Sequence, residues 1–149
     1  MENLLKNVDD YPVLLVEDNL DDILITRRAW KVGQIKNPLF EVRDGEEALS
    51  FLRKEGEFFE APRPCLILLD LKMPRMGGLE LLEIIKDDDS LKKIPVIILT
   101  TSNRSIDVER AYQLGCNSYI VKPVNFPNFI DAVIEIKRYW LILCEIPFE

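Results

Sequence analysis

Leu66-Ile67-Leu68-Leu69-Asp70-Leu71-Lys72-Met73-Pro74-Arg75-Met76-Gly77-Gly78 runs four apolar residues into a carboxylate and then into a turn. An unbroken apolar run bounded by turn residues reads as a strand buried on both faces, as in a parallel sheet covered by helices. Open α/β sheets carry their sites just outside the carboxyl ends of the strands, and Asp70 stands there. Taken alone, Asp70 reads equally well as a cap for the turn. Working outward, three more runs end in a similar way. Val13-Leu14-Leu15-Val16 ends in Glu17-Asp18, Val96-Ile97-Ile98-Leu99 in Thr100-Thr101, and Tyr119-Ile120-Val121 in Lys122-Pro123. Four strands thus deliver acid, acid, hydroxyl and ammonium to one edge of a sheet.

Helical segments separate these runs. Asn19-Leu20-Asp21-Asp22 offers helix-start residues, and a helix carrying Ile23, Ala29 and Trp30 ends near Gly33. Phe40-Glu41-Val42 is a short second strand, followed by a helix over Glu46 to Lys54 and a polar surface loop from Glu55 to Pro64. Leu79 to Lys86 is helical, with Leu79, Leu82 and Ile85 toward the sheet. Ser105 can cap a helix that ends before Gly115, and Asn125 caps the last helix, with Pro127 in its first turn. Five buried strands alternating with five helices predict an α/β fold, a five-stranded, parallel, doubly wound sheet, and its expected order is 2-1-3-4-5. In that order the topology reverses between strands one and three, the strands that end in Glu17-Asp18 and Asp70.

Composition narrows the function. The chain has 149 residues, enough for one domain with an ample core, and a net charge of −7 without a basic cluster, which argues against nucleic-acid binding. No apolar stretch approaches membrane-spanning length, and the N-terminus lacks a secretory pattern, so a cytoplasmic protein is expected. Cys65, Cys116 and Cys144 are odd in number and widely spaced, as in a reduced protein. There is no histidine, which removes Ser-His-Asp and Cys-His catalysis and most transition-metal sites. Glu17, Asp18 and Asp70 packed together stay ionised only if a cation joins them, and an all-oxygen set suits Mg²⁺. A metal-held aspartate is a known nucleophile toward phosphorus, and Lys122 and Thr100 can supply the charge and donor that phosphoryl transfer needs.

At this point the residues resemble one family. Glu17-Asp18, Asp70 with Met73-Pro74 and Gly77-Gly78, Thr100, Tyr119 and Lys122-Pro123 are similar to the receiver domains of two-component response regulators, which have a flavodoxin-like fold. The resemblance runs from about Pro12 to about Trp140. It implies that Asp70 accepts a phosphoryl group from a histidine kinase. It implies that Asp18, Asp70 and the backbone carbonyl of Lys72 hold Mg²⁺, with Glu17 acting through water. Lys122 and Thr100 would contact the phosphoryl oxygens, Tyr119 would switch rotamer with Thr100, and the peptide bond before Pro123 would be cis. Gly56-Glu57-Phe58, Pro62-Arg63-Pro64, Leu99-Thr100-Thr101-Ser102 and Tyr139-Trp140-Leu141 with Pro147 resemble the small regulators that serve cyanobacterial phytochromes. A phytochrome-type kinase is then the implied phosphodonor.

Two departures from the commoner pattern, Thr101 after Thr100 and Lys72 two residues after Asp70, bear on the lifetime of a phosphoryl group. The stretch after Pro123 accommodates one helix and a short tail, so the expectation is a single receiver domain over 1–149, core about 12–140, with no output domain and no enzymatic role beyond its own phosphorylation and dephosphorylation. Its output is then binding to an unknown downstream protein. A receiver-fold docking module that is never phosphorylated is the alternative, and a hydrolase using Asp70 is a weaker one. In the last helix Phe129, Val133, Ile136 and Trp140 form the stripe that faces the sheet. Ile130, Ile134, Leu141 and Cys144 lie off it, and the tail adds Leu143, Ile146 and Phe148. Apolar residues on more than one side predict a homodimer through the C-terminal helix, or a tail folded over its own domain.

Overall fold

A computed structural model of the protein describes residues 7–143. Strands β1 (Val13–Val16), β2 (Leu39–Val42), β3 (Leu66–Leu69), β4 (Val96–Thr100) and β5 (Ser118–Val121) alternate with helices α1 (Leu20–Val32), α2 (Gly45–Leu52), α3 (Gly78–Asp87), α4 (Ser105–Gln113) and α5 (Phe126–Ile136). The sheet is parallel throughout, with order β2-β1-β3-β4-β5. Its topology reverses between β1 and β3, where Val16 pairs with Leu69. The residues that follow this pair are Glu17 and Asp70.

Strand residues alternate between two cores, as a period of two requires. Leu14, Val16, Ile67, Leu69 and Ile98 pack with Ala48, Leu81, Leu82 and Ile85 on one face. Val13, Leu15, Leu66, Leu68, Ile97 and Leu99 pack with Ile23, Trp30, Phe129 and Val133 on the other. Each such Leu or Ile contributes roughly 1.5–3 kcal/mol by leaving water. The three central strands are wholly buried. The expectation of five buried strands fails at the edges, where β2 and β5 are mostly half-exposed. An edge strand has a neighbour on one side only, and the helices do not cover it completely.

Three of the five helix starts carry a side-chain cap, and those of α3, at Gly77, and α4, at Arg104, do not. Asn19, Asp44 and Asn125 accept from the backbone N–H groups of Asp22 (3.0 Å), Glu47 (2.8 Å) and Asn128 (2.9 Å). Ser105 does not cap α4, which it begins. Arg104 takes the cap position, and Ser102 Oγ donates to Asp107 Oδ2 in the first turn at 2.5 Å. Helix α3 starts at Gly78 and buries Leu81, Leu82 and Ile85, leaving Leu79 half-buried. The polar loop after α2 holds a 3₁₀ turn, Gly56–Phe58, pinned because Phe58 stacks on Phe51 at 5.4 Å and Phe51 on Phe40 at 5.7 Å.

The C-terminal stripe is displaced by one residue. Helix α5 widens into a π-helix over Lys137–Leu143. The looser i→i+5 winding carries the buried position from Trp140 to Leu141, which is 2% exposed, while Trp140 is half-buried. Ile134 lies against the end of α1, its Cγ1 3.1 Å from where a Gly33 Cβ would stand. Part of the off-stripe apolar surface is therefore covered within the domain. Cys144, Ile146, Pro147 and Phe148 lie outside the described residues. No described helix is long and apolar enough to cross a membrane.

Candidate functional site

The register of β1 on β3 decides where the acids meet. Asp70 N–H donates to Val16 O at 3.0 Å and Glu17 N–H to Val42 O at 3.0 Å, so both residues leave the sheet at one level. Carboxylate oxygens of Glu17, Asp18 and Asp70 lie within 4.8 Å of one another. Glu17 is 1% exposed and Asp70 8%, with Asp18 half-buried. Burial first, and the charge of Asp70 after it, push the Glu17 carboxyl up to about 7, against the opposing pull of Lys122. Three acids beside a single ammonium leave uncompensated negative charge in a pocket of hard oxygen donors. That donor set fits a hard divalent cation, with room in the coordination shell left to water and substrate.

Lys122 enters from β5, where its N–H donates to Thr100 O at 2.7 Å. Its Nζ donates to Glu17 Oε1 at 2.6 Å and to Asp22 Oδ2 at 3.3 Å. Burial works against the ammonium, but its hydrogen bond to Glu17 and the charges of Glu17, Asp70 and Asp22 outweigh it and hold its pKa above the ordinary lysine value. The expected cis bond before Pro123 is absent, since the described residues contain no cis peptide. Lys122 reaches Glu17 from the end of β5 without that reversal.

Thr100 is fully buried, and Tyr119 is half-buried. Ser102 links them: its N–H donates to Thr100 Oγ1 at 3.4 Å, and its carbonyl accepts from Tyr119 Oη at 2.9 Å. In sequence Ser102 stands out only as the end of the Leu99-Thr100-Thr101-Ser102 segment and not as a link, because the link runs through its backbone, which every residue has. Lys72 and Thr101 are exposed at the rim. Trp30 follows the acid pair in sequence, but its indole N–H donates to Asn37 O at 2.8 Å, about 15 Å of helix away from Leu20.

The loop after Asp70 is clamped from two sides. Asp70 Oδ1 accepts from Leu71 N–H at 2.9 Å. Arg75, held at φ 61°, forms an ion pair with Asp44, its Nε donating to Oδ2 at 2.9 Å. The same Asp44 caps α2. Burial raises the Asp44 carboxyl, but hydrogen bonds from Glu47 N–H and Arg75 overcome this and hold it below the usual aspartate range. Asp44→Ala is expected to lower stability by about 1–3 kcal/mol. A depressed folded pKa adds stability that is complete above the unfolded value and lost as pH falls through the folded one. Urea unfolding should therefore show the gap between variant and wild type narrowing below about pH 3.9. A gap of constant size would count against the role.

Comparisons with known proteins agree with this geometry. Residues 13–134 match the response regulator receiver domain family. Response regulator Rcp1 of Synechocystis sp. is 40% identical over 135 residues, which cover 91% of this chain and 92% of Rcp1. The probable methanogenesis regulatory protein FilR2 of Methanothrix harundinacea is also 40% identical, over 93% of this chain and 89% of its own. The phosphorylated cyanobacterial phytochrome response regulator RcpA superposes with a TM-score of 0.88 at 40% identity, covering 93% of this chain and 99% of its own. The Mn²⁺-bound form of Rcp1 superposes with a TM-score of 0.85 at 39% identity, over 93% of this chain and 99% of that one. The family matches most of the chain, the sheet order is the expected one, and three acids stand at its switch point: the protein belongs to the response regulator receiver domain family.

Proposed function

We propose that the protein is a phosphorylation-dependent signalling module in which Asp70 accepts a phosphoryl group from a histidine kinase, with a phytochrome-type kinase as the first candidate. The observation that carries the reading is the grouping of Glu17, Asp18 and Asp70 within 4.8 Å beside the ammonium of Lys122. A fold used only for docking has no need of three mutually repelling acids, two of them buried. The relation to RcpA, a cyanobacterial phytochrome response regulator, supports the choice of kinase.

In this reading the chain contributes the nucleophile. An Asp70 carboxylate oxygen forms a bond to phosphorus as the phosphorus–nitrogen bond of a phosphohistidine breaks. That histidine belongs to another protein, because this chain has none. Asp18, Asp70 and the carbonyl of Lys72 would hold Mg²⁺ directly, with Glu17 behind a water. The Mn²⁺-bound form of Rcp1 supports a divalent ion in this pocket. The bound cation supplies positive charge to the transferred oxygens. Lys122 Nζ and the Thr100 hydroxyl supply the remaining charge and hydrogen bond. Tyr119 passes the state of Thr100 outward through Ser102, so the output is a change of surface read by a downstream protein.

Removing one carboxylate from a hard-cation site costs part of what offsets the ion's lost hydration. Asp18→Ala is expected to weaken Mg²⁺ binding by at least tenfold in calorimetric titration and to slow labelling of Asp70 by acetyl phosphate to match. Unchanged Mg²⁺ affinity would remove Asp18 from the site. Chelation of divalent ions should stop labelling of the wild type. Continued labelling in chelator would sink the metal-dependent reading.

The chain also forms a homodimer through α5 and its π-helical extension in this reading. A groove of about 260 Å³ between β5 and the last helix is lined by Ile120, Ile136, Tyr139 and Trp140. Tyr139 (56% exposed) and Ile142 (53%) continue the apolar surface. Size-exclusion chromatography with light scattering should give twice the chain mass of 17.3 kDa. Trp140→Glu should return it to the monomer without loss of Asp70 labelling. A wild type that stays monomeric at tens of micromolar contradicts the dimer.

A further inference from the structure

We infer that Asp22 is a positioning residue for Lys122, one whose carboxylate holds the ammonium on the α1 side of the pocket and so slows its delivery to a phosphoryl group arriving at Asp70. This inference rests on the reading of Asp70 as the phosphoacceptor.

Asp22 sits in the first turn of α1, and its backbone is fixed on both sides. Its N–H donates to Asn19 Oδ1 at 3.0 Å, and its carbonyl accepts from Thr26 Oγ1 at 2.8 Å. The side chain is thereby aimed from a rigid element. Lys122 Nζ spans Glu17 at 2.6 Å and Asp22 at 3.3 Å, with the lysine side chain 9% exposed. The two acids differ in kind. Glu17 belongs to the group of three acids that includes Asp70, so its bond to the ammonium is compatible with either position of the lysine. Asp22 lies outside that group. It lines instead a cavity of about 450 Å³ between α1 and the start of α5, together with Lys122, Thr26, Val124 and Phe126. Movement of the ammonium toward Asp70 lengthens the Asp22 contact, the longer of the two already.

A contact made in only one of two states shifts the balance between them by its own strength. A partly exposed ion pair is worth enough for a change of about two- to fivefold. Lys122 touches the incoming phosphoryl group only after it has left Asp22. The Asp22 contact therefore slows phosphorylation and leaves the later loss of the phosphoryl group little affected.

The test uses the full chain, Mg²⁺ and limiting acetyl phosphate, with phosphorylation and later decay followed by intact mass. Asp22→Asn keeps the shape and removes the charge. It should phosphorylate about two- to fivefold faster than wild type, with the decay rate after donor removal unchanged. Asp22→Glu should return the rate toward wild type, a rescue that a merely structural role does not give. In a Lys122→Ala background, Asp22→Asn should add nothing. A rate equal to wild type in Asp22→Asn overturns the inference. So does a failure of Asp22→Glu to rescue, or an effect that persists without Lys122. If the wild type takes no phosphoryl group on Asp70, the phosphoacceptor reading itself falls, and this inference with it.

Discussion

Asp70→Asn is expected to abolish phosphorylation while making the protein more stable. The amide keeps the shape of the side chain and its acceptor oxygen for Leu71 N–H, which stands at 2.9 Å. It removes the anionic oxygen proposed to attack phosphorus, so label from acetyl phosphate or a histidine kinase should drop below detection, a loss of at least a hundredfold. Stability should move the other way. In the absence of a cation, Asp70 adds its charge beside Glu17 and Asp18, all within 4.8 Å, and after burial, the main cause, that charge helps push the Glu17 carboxyl up to about 7. Removing that charge should add on the order of 1 kcal/mol at neutral pH without Mg²⁺, and the advantage should shrink as Mg²⁺ is added to the wild type. Urea unfolding with and without the ion reads both terms. Labelling of the variant would place the phosphoacceptor elsewhere, and a variant less stable than wild type in metal-free buffer would contradict the account of the repulsion.

Gly78→Ala is expected to be the most damaging single-methyl change near the pocket. A Cβ at Gly78 would stand 2.3 Å from Asp70 O and 2.7 Å from Leu71 Cα. These are backbone atoms, so no side-chain rotation relieves the clash. Either α3 moves away from β3 or the carbonyl of Asp70 shifts, and with it the side chain. Overpacking of this kind costs about 1–3 kcal/mol, which for a chain of this length lowers Tm by roughly 2–4 °C per kcal/mol. Phosphorylation should slow as well, because displacement of a reacting group by a fraction of an ångström is costly. The same methyl at Gly77 meets only Leu71 O at 3.6 Å, so Gly77→Ala serves as a control and should stay near wild type in both measurements. Equal behaviour of the two variants would show that α3 is free to yield.

Much of the architecture is legible from local patterns. Short apolar runs, each followed by a polar residue and a helix start, are enough to point to a parallel sheet covered by helices. They also place Glu17, Asp18, Asp70, Thr100 and Lys122 at one edge, since a residue after a strand must leave the sheet at its carboxyl end. Asn19 and Asn125 are legible as caps because capping is local. The departures come from packing in some places and from local winding in others. Leu79 and Leu81 are both leucines at plausible spacings, and the seating of α3 on the sheet selects Leu81. Trp140 yields its place to Leu141 because α5 widens into a π-helix after Ile136, a change of winding that no apolar period announces.

What the sequence determined by itself is the class of fold and the set of reactive groups, because strand periodicity, helix caps and strand-end residues are properties of short segments. What tertiary structure alone decided is who touches whom. Lys122 and Glu17 are separated by 105 residues, and Lys122 and Asp22 by 100. Asp22 reads in sequence as one more helix-start acid, and nothing local links Arg75 to Asp44, 31 residues before it. Their pairings exist only because the register of Val16 on Leu69 and the approach of Gly78 to Asp70 bring separate loops to one edge of the sheet. Ion pairs and close backbone contacts depend on distances of a few ångströms between remote segments, and those distances are set by packing, not by any local preference of the residues involved.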